Sequence, residues 1–435
     1  MSMIAEDRPS TAGTATTRLL AAGPHADALR HAAVFGPRPY PGADALVREL
    51  EHAGLTGRGG GSFPAFRKLA ATGGRRGAVV IANGGEGEPW SAKDAVLLEN
   101  APQLVIDGLL IAAEALGADR AILSVRPEAS AAVRAAVAER SDAGSIELVA
   151  AAEGFVAGEA SAVVRQLQTG VAAPTDRTRR LSASGLDGRP TLVHNIETLA
   201  QLALVARYGG AWFRSVGAAS DPGTRLLTLS GDVPAPGVVE ASTAISLAEA
   251  VRSAGGNPHR VSAVLVGGYH GARVPPAGFA ASFSTEGLAP WGAGPGAGVI
   301  HALGAHRCGL AVTADILAEL ADASAGQCGP CRFGLPALAA RFAELAAGRL
   351  APRAAAEAVR LADVVDGRGS CHHPDGAARL ARSALRVFAA DVHAHASGQC
   401  RGASPQADAP GARAPQTVPK TVPQTVPVAS HGGGR

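Results

Sequence analysis

An α/β fold with a mostly parallel sheet, then a small β-grasp module, then a C-terminal four-helix bundle is the architecture this sequence predicts. Three observations carry that expectation. Apolar strand-like and helix-like segments alternate between residues 77 and 149. A strand–strand–helix–strand group follows between residues 224 and 266. Beyond residue 311 only helical periodicity remains.

The run GAVVIAN at 77–83 reads as a buried strand ending in a glycine turn. Residues 101–116 read as an amphipathic helix, 121–125 as a strand, 129–140 as a helix and 145–149 as a strand. Residues 224–230 (TRLLTLS) begin the next group, with a helix over 247–254 and a strand over 262–266. Helices over 314–323, 336–347, 354–365 and 377–395, joined by short connections, read as an antiparallel bundle. The expected division is a partly disordered lead-in at 1–40, an α/β domain at 41–220, the β-grasp domain at 221–300 and the helical domain at 301–398. The tail at 399–435 carries the repeat TVPK-TVPQ-TVPV, is proline-rich and has no core, so it reads as disordered.

Composition excludes several classes. Of 435 residues, 47% are hydrophobic, which rules out a disordered chain. A formal net charge of +3 does not suit a nucleic-acid binder held by phosphate contacts. The most apolar segment, 104–116, contains Asp107 and Glu114, so no membrane insertion is expected. Glu6, Asp7 and Arg8 stand where a signal peptide would be apolar, which points to the reducing cytoplasm. There the cysteines at 308, 328, 331, 371 and 400 are ligands or thiols rather than disulfides.

Two glycine-rich segments carry chemistry. Arg58-Gly59-Gly60-Gly61-Ser62-Phe63-Pro64 lets backbone N–H groups converge on an anion, with Ser62 expected to cap the following helix and Arg58 to add charge. Asn83-Gly84-Gly85-Glu86-Gly87-Glu88-Pro89 closes the first strand, where α/β sheets bind ligands. Either segment alone would also serve as an ordinary solvated turn.

Together with two further blocks they resemble the family of flavin-binding, F-type subunits of NADH:quinone oxidoreductase (complex I) and related diaphorases. The family's GRGGxGFP and NADEGEP are similar to GRGGGSFP and NGGEGEP here. Its GAYxCGEETAL is similar to residues 154–163 (GFVAGEASAV), and its GLxGxPTTVNNVETL to residues 185–199 (GLDGRPTLVHNIETL). The resemblance implies a Rossmann-like domain that binds FMN and an SLBB-type β-grasp domain. Arg58, Gly59, Gly60, Gly61 and Lys68 would hold the phosphate region, and Asn83 and Glu86 the isoalloxazine or ribityl part. Phe155, Gly158 and Glu159 would line the flavin, while His194, Asn195 and Thr198 close the site. Phe63 and Glu88 match positions that touch the nicotinamide nucleotide. Glu88 and Glu159 are positioning groups, because hydride transfer needs no side-chain acid or base.

This chain departs from the family pattern at Gly85 for Asp, Phe155 for Tyr and Ala160 for the second Glu of GEE. Arg180 stands for the adenine-stacking Phe. Arg177, Arg179 and Arg180 can receive the 2′-phosphate of NADPH, or form a solvated basic loop.

Cys328 and Cys331, with two residues between them, and a remote Cys371 form a metal or cluster pattern. His372 and His373 keep zinc open as an alternative. The resemblance favours iron–sulfur: the family's SCGQCTPCR is similar to SAGQCGPCR at 324–332. Ala325 replaces the first cysteine, so the expected [4Fe-4S] cluster has three thiolates and a [3Fe-4S] form is its variant. Ser324, His372, His373 or water can substitute. Cys308 reads as a core residue and Cys400 has no assigned role.

The implied function is an FMN- and iron–sulfur-dependent oxidoreductase passing electrons from NADH or NADPH to a ferredoxin-like or quinone-reducing partner. A catalytically degenerate flavin-binding redox scaffold of the same fold is the alternative, and a zinc-stabilised structural protein the third reading.

Overall fold

The computed structural model describes residues 17–176, 178–349, 351–400 and 402. Residues 1–16, Arg177 and the proline-rich repeats of the tail lie outside the described residues.

Four parallel strands form the first sheet: β1 (Val79–Gly84), β2 (Arg120–Val125), β3 (Ile146–Ala150) and β4 (Thr191–Asn195), ordered β3-β2-β1-β4. Strands β1 to β3 lie where the sequence predicts strands. β4 has no predicted counterpart, because five residues carry too little alternation to read. It becomes a strand by pairing with β1, Ile81 opposite Val193 and Asn83 opposite Asn195. The chain winds outward from β1 through β2 to β3, then returns to the other side of β1. The strand order therefore reverses between β1 and β4, and such a switch point is where open α/β sheets hold ligands beyond their carboxyl ends.

Helix Pro102–Leu116 begins with proline in its first turn and ends at Gly117 in the left-handed conformation. The expectation of an amphipathic helix fails here, since nearly every side is buried. One face packs on the sheet and another on helix Ile196–Arg214. A Cβ on Gly108 would stand 2.0 Å from the Leu199 carbonyl oxygen, so only glycine permits the approach. Asp107, 1% exposed, is tolerated because His31 (2.8 Å), Arg140 (2.6 Å) and Arg207 (2.5 Å) surround it. Burial alone would raise its pKa, but these partners hold it down at about 2.

The second sheet has five strands in the spatial order Ala272–Val274, Val261–Val266, Val299–Gly304, Thr224–Gly231 and Gly237–Ser242. Its central strand, Val299–Gly304, runs antiparallel to Val261–Val266 and parallel to Thr224–Gly231. Beyond it stand helices Gly309–Asp322, Leu335–Ala346, Ala351–Val365, His373–Val387 and Ala389–Ala396. The long final helix expected over 377–395 is thus two helices, broken at Phe388 (φ −103°, ψ 25°). Leu317, Leu338, Phe342 and Leu380 fill the helical core, which continues into Trp90, Tyr269 and Val299. Among the described residues no single helix is long and apolar enough to cross a membrane.

Candidate functional site

The glycine loop closes on itself through a Thr56–Pro64 bridge and a 2.9 Å bond from the Gly57 N–H to the Phe63 carbonyl. Gly60 sits at φ +112°, open to glycine alone, and a Cβ on Gly60 or Gly61 would meet nothing within 4 Å. Gly59 lies against the end of β4, where its Cβ would be 3.0 Å from that of Asn195. Ser62 does not cap the next helix. It takes φ +45°, Pro64 occupies the cap position of helix Ala65–Thr72, and no side chain caps it. Phe63 is half exposed.

Arg58 is placed differently from the sequence expectation. Its N–H donates to Thr198 Oγ1 (2.8 Å), but its guanidinium, 1% exposed, turns inward to Asp221 (3.2 Å) and the Pro222 carbonyl (3.3 Å). Asp221 also binds Arg225 (3.0 Å). Arg58 therefore anchors the loop to the start of the second sheet, and the loop offers its backbone to a ligand.

The acidic turn is tied down from several sides. The Asn83 amide donates to the Gly158 carbonyl (2.9 Å) and accepts from the Gly85 N–H (3.1 Å). A Cβ on Gly158 would fall 2.5 Å from the Gly85 oxygen, and one on Gly87 2.5 Å from the Phe155 oxygen. Glu86 accepts from Ser91 Oγ and from the Asp94 N–H (3.3 Å). Burial and the adjacent Asp94 push its pKa up to about 7. Glu88 accepts from the Tyr269 N–H (2.9 Å), and burial pushes it up to about 8.

Sequence reasoning missed the cation at the centre of this turn. Lys93, fully buried, binds Asp94 (2.5 Å), Glu197 (3.1 Å) and Asn195 Oδ1 (3.1 Å). Burial opposes its charge, but Asp94, Glu197 and Glu86 hold its pKa above the usual lysine range. Asn195 joins the network by donating to Asp94 (2.6 Å) while capping helix Ile196–Arg214. The one available signal was the Lys93-Asp94 pair just inside the helix that follows the turn.

Lys68 and His194 meet nearby. Burial lowers the pKa of Lys68, whose amine donates to the Val193 carbonyl (3.2 Å). Burial, reinforced by Lys68, holds His194 neutral with a pKa of about 3, and its Nε2 has no partner. Glu159 caps helix Ala160–Thr169, accepting from Ser161 N (2.8 Å) and Ala162 N (3.2 Å).

From Phe155 a set of rings leads toward the cysteines. Phe155 stands edge-on to His270 (4.6 Å) and His373 (5.4 Å), while Trp90 stacks on His301 (3.7 Å) and meets Tyr269 edge-on (4.9 Å). Cys331 lies in a π-turn, Pro330–Gly334, and interacts with Cys328 and Cys371. Burial first, then its thiol neighbours, pushes Cys331 up to about 12. Burial also acts against the Cys328 thiolate, but N–H groups of Ser370 and Cys331 hold that thiol below its usual pKa. Of the two substitute histidines, His373 is engaged at both ring nitrogens and His372 at one. His373 Nε2 lies 2.7 Å from the Leu320 carbonyl and its Nδ1 3.0 Å from His270; His372 Nδ1 lies 2.8 Å from Asp375. Gln327 reaches back to the Pro174 carbonyl, joining the cysteine loop to the first region. Cys308 and Cys400, expected to have no part in any site, meet with His395: their ligand atoms lie within 4.8 Å of one another.

Fold and site together define an α/β flavoprotein with an iron–sulfur region. Residues 50–204 match the Nuo51 FMN-binding domain family, and residues 311–395 match the NADH-ubiquinone oxidoreductase-F iron-sulfur binding region. The chain is 30% identical over 373 residues to F-subunit 2 of the NADH-quinone oxidoreductase of Rhizobium meliloti (strain 1021), covering 81% of this chain and 89% of that one. It is 28% identical over 393 residues to the NADH-quinone oxidoreductase F-subunit of Streptomyces coelicolor, covering 86% of each. An NAD+-reducing [NiFe]-hydrogenase in its H2-reduced state has a chain of similar structure, with a TM-score of 0.74 at 30% identity. That match covers 81% of this chain, which spans 63% of the hydrogenase chain. The protein belongs to the family of NADH-quinone oxidoreductase F-subunits.

Proposed function

We propose that this chain takes electrons from NADH or NADPH and passes them, by way of FMN and an iron–sulfur cluster, to a ferredoxin-like or quinone-reducing partner in the cytoplasm. The observation that carries the reading is the continuity from crevice to cysteines: Phe155, beside the acidic turn, reaches His373, two residues from Cys371. The finer assignment is an SLBB-type β-grasp domain at 221–300 and a helical-bundle domain at 301–398, after an FMN domain at 41–220.

The residues present fit FMN. The glycine loop has open space above Gly60 and Gly61, Lys68 supplies a half-buried amine, and His194 keeps an unpartnered ring nitrogen. When bound, FMN supplies hydride acceptance and single-electron release. The backbone of Gly59, Gly60 and Gly61 holds the phosphate, helped by Lys68. Arg58 positions that loop. Asn83, Glu86, His194, Asn195 and Thr198 orient the rest, with Phe155, Gly158 and Glu159 alongside. Phe63 and Glu88 face the nucleotide. Glu88, protonated up to about pH 8, presents no negative charge to its phosphates at neutral pH.

Cys328, Cys331 and Cys371 fit a cluster held by three thiolates. Metal binding deprotonates such thiols outright, which reverses the high pKa of Cys331. Ala325 offers no thiolate in the first position and His373 is engaged at both nitrogens, which leaves Ser324, His372 or water to complete the cluster.

The test is an anaerobic absorption spectrum of the full chain after cluster reconstitution, recorded before and after NADH and then NADPH. Flavin and iron–sulfur bands bleached by one nucleotide are expected. Flavin bands that neither nucleotide bleaches would support the redox scaffold, for which Gly85, Ala160 and Ala325 speak. A colourless protein overturns both readings.

A further inference from the structure

Cys308, His395 and Cys400 stand apart from the cluster cysteines. Cys308 is the cap residue of helix Gly309–Asp322 and is buried, and its sulfur accepts from the Leu310 and Ala311 N–H groups. Burial pushes the Cys308 thiol up to about 11 and these N–H groups offset only part of that, so it is a bound cation that brings out the thiolate. His395 lies in the last turn of helix Ala389–Ala396, also buried. Its Nδ1 is 2.8 Å from the Leu345 carbonyl, so Nδ1 carries the proton. Nε2 is then a bare lone pair, and it faces Cys308 Sγ at 3.6 Å. A backbone carbonyl on the far nitrogen is the partner that orients metal-binding imidazoles. Cys400 interacts with the Cys308 thiol from a half-buried position. The segment carrying it is pressed onto the helix start, where a Cβ on Gly402 would fall 2.6 Å from the Cys308 nitrogen.

We propose that Cys308, His395 and Cys400 form a Cys2His site for a thiophilic divalent cation, zinc, which fastens the segment after helix Ala389–Ala396 to the start of helix Gly309–Asp322. Tetrahedral zinc, with bonds of roughly 2.3 Å to sulfur and 2.0 Å to nitrogen, separates such donors by about 3.5 Å, and the Cys308–His395 spacing of 3.6 Å matches. Each thiol gives up its proton to solvent as the metal binds. Water completes the fourth position on the half-buried Cys400 side. The donor set is distinct from Cys328, Cys331 and Cys371, so the site does not depend on the iron–sulfur reading.

The probe is cobalt(II), titrated anaerobically into the full chain after cluster reconstitution. Equimolar uptake with a thiolate-to-cobalt charge-transfer band is expected. In C400A and H395A the affinity should fall by more than roughly 100-fold, beyond what loss of an outer partner costs. In C328A the band should persist although the iron is lost. No cobalt uptake overturns the proposal. So does a band that survives C400A, or one that vanishes in C328A. Recovery of Cys308 and Cys400 as a disulfide from chain kept under reductant also overturns it. H395A loses the bond to Leu345 as well; should it fail to fold, C400A, outside helix Ala389–Ala396, decides alone.

Discussion

The crevice beyond β1 and β4 and the cysteine region of the helices are built on opposite plans. In the crevice the binding groups hold one another. Asn83 is bonded to Gly158, Asn195 to Asp94, Lys93 to Glu197, and Arg58 to Asp221. Such a site is organised before any ligand arrives, and its residues carry stability as well as binding. The cysteines instead sit at a π-turn and just before a helix, Cys331 buried at the margin of the helical core and Cys328 and Cys371 half-buried. Among the described residues no network of buried ion pairs like that around Lys93 surrounds them. Their order depends on what they bind. Substitution should therefore cost fold in the first region and cofactor in the second.

The largest effect expected is selective loss of the cluster. Cys331→Ser should abolish the iron–sulfur absorption while leaving flavin content at the wild-type level. Parallel loss of both, measured as iron and flavin per chain, would break the contrast between the regions.

Next is Lys93→Met, which leaves Asp94 and Glu197 buried without their cation. Breaking a buried ion network from one side costs about 3–5 kcal/mol, read as a lowered midpoint in urea. A variant as stable as wild type would show that the crevice is not held by this network.

Ala325→Cys should have a smaller, opposite effect. A fourth thiolate closes the cluster, so its absorption in air should decay more slowly than in wild type, with flavin binding unchanged. An unaltered decay would mean that the fourth iron is already protected.

The smallest effect at neutral pH belongs to Glu88→Gln, since Glu88 is protonated up to about pH 8. The sign is fixed by linkage. The folded pKa lies above the unfolded value of about 4.3, so the favourable contribution is complete below that value and is lost as pH rises through 8. E88Q should thus gain thermal stability relative to wild type on going from about pH 5 to about pH 8. A constant difference in Tm would place the Glu88 carboxyl in contact with solvent.

Much of the architecture was legible. Strands β1 to β3 and Thr224–Gly231 are short apolar runs bounded by turns, and periodicity exposes them. β4 and Val299–Gly304 were not read, although each sits at the centre of its site or sheet. Both owe their state to pairing with strands distant in sequence. Of the crevice, the glycine loop and acidic turn were visible because glycine clusters are local signals, whereas Lys93 and Glu197 looked like ordinary helix residues.

What the sequence by itself determined is therefore local. Gly60 takes a backbone conformation that side chains refuse, and the two-residue spacer between Cys328 and Cys331 brings two thiols together whatever surrounds them. The tertiary structure decided where long side chains end. It turned Arg58 inward to Asp221, 163 residues away, and engaged His373 with His270. It also brought Cys308 to His395 across 87 residues. Partners so distant are chosen by how helices and sheets pack, and no pattern of neighbours along the chain encodes that choice.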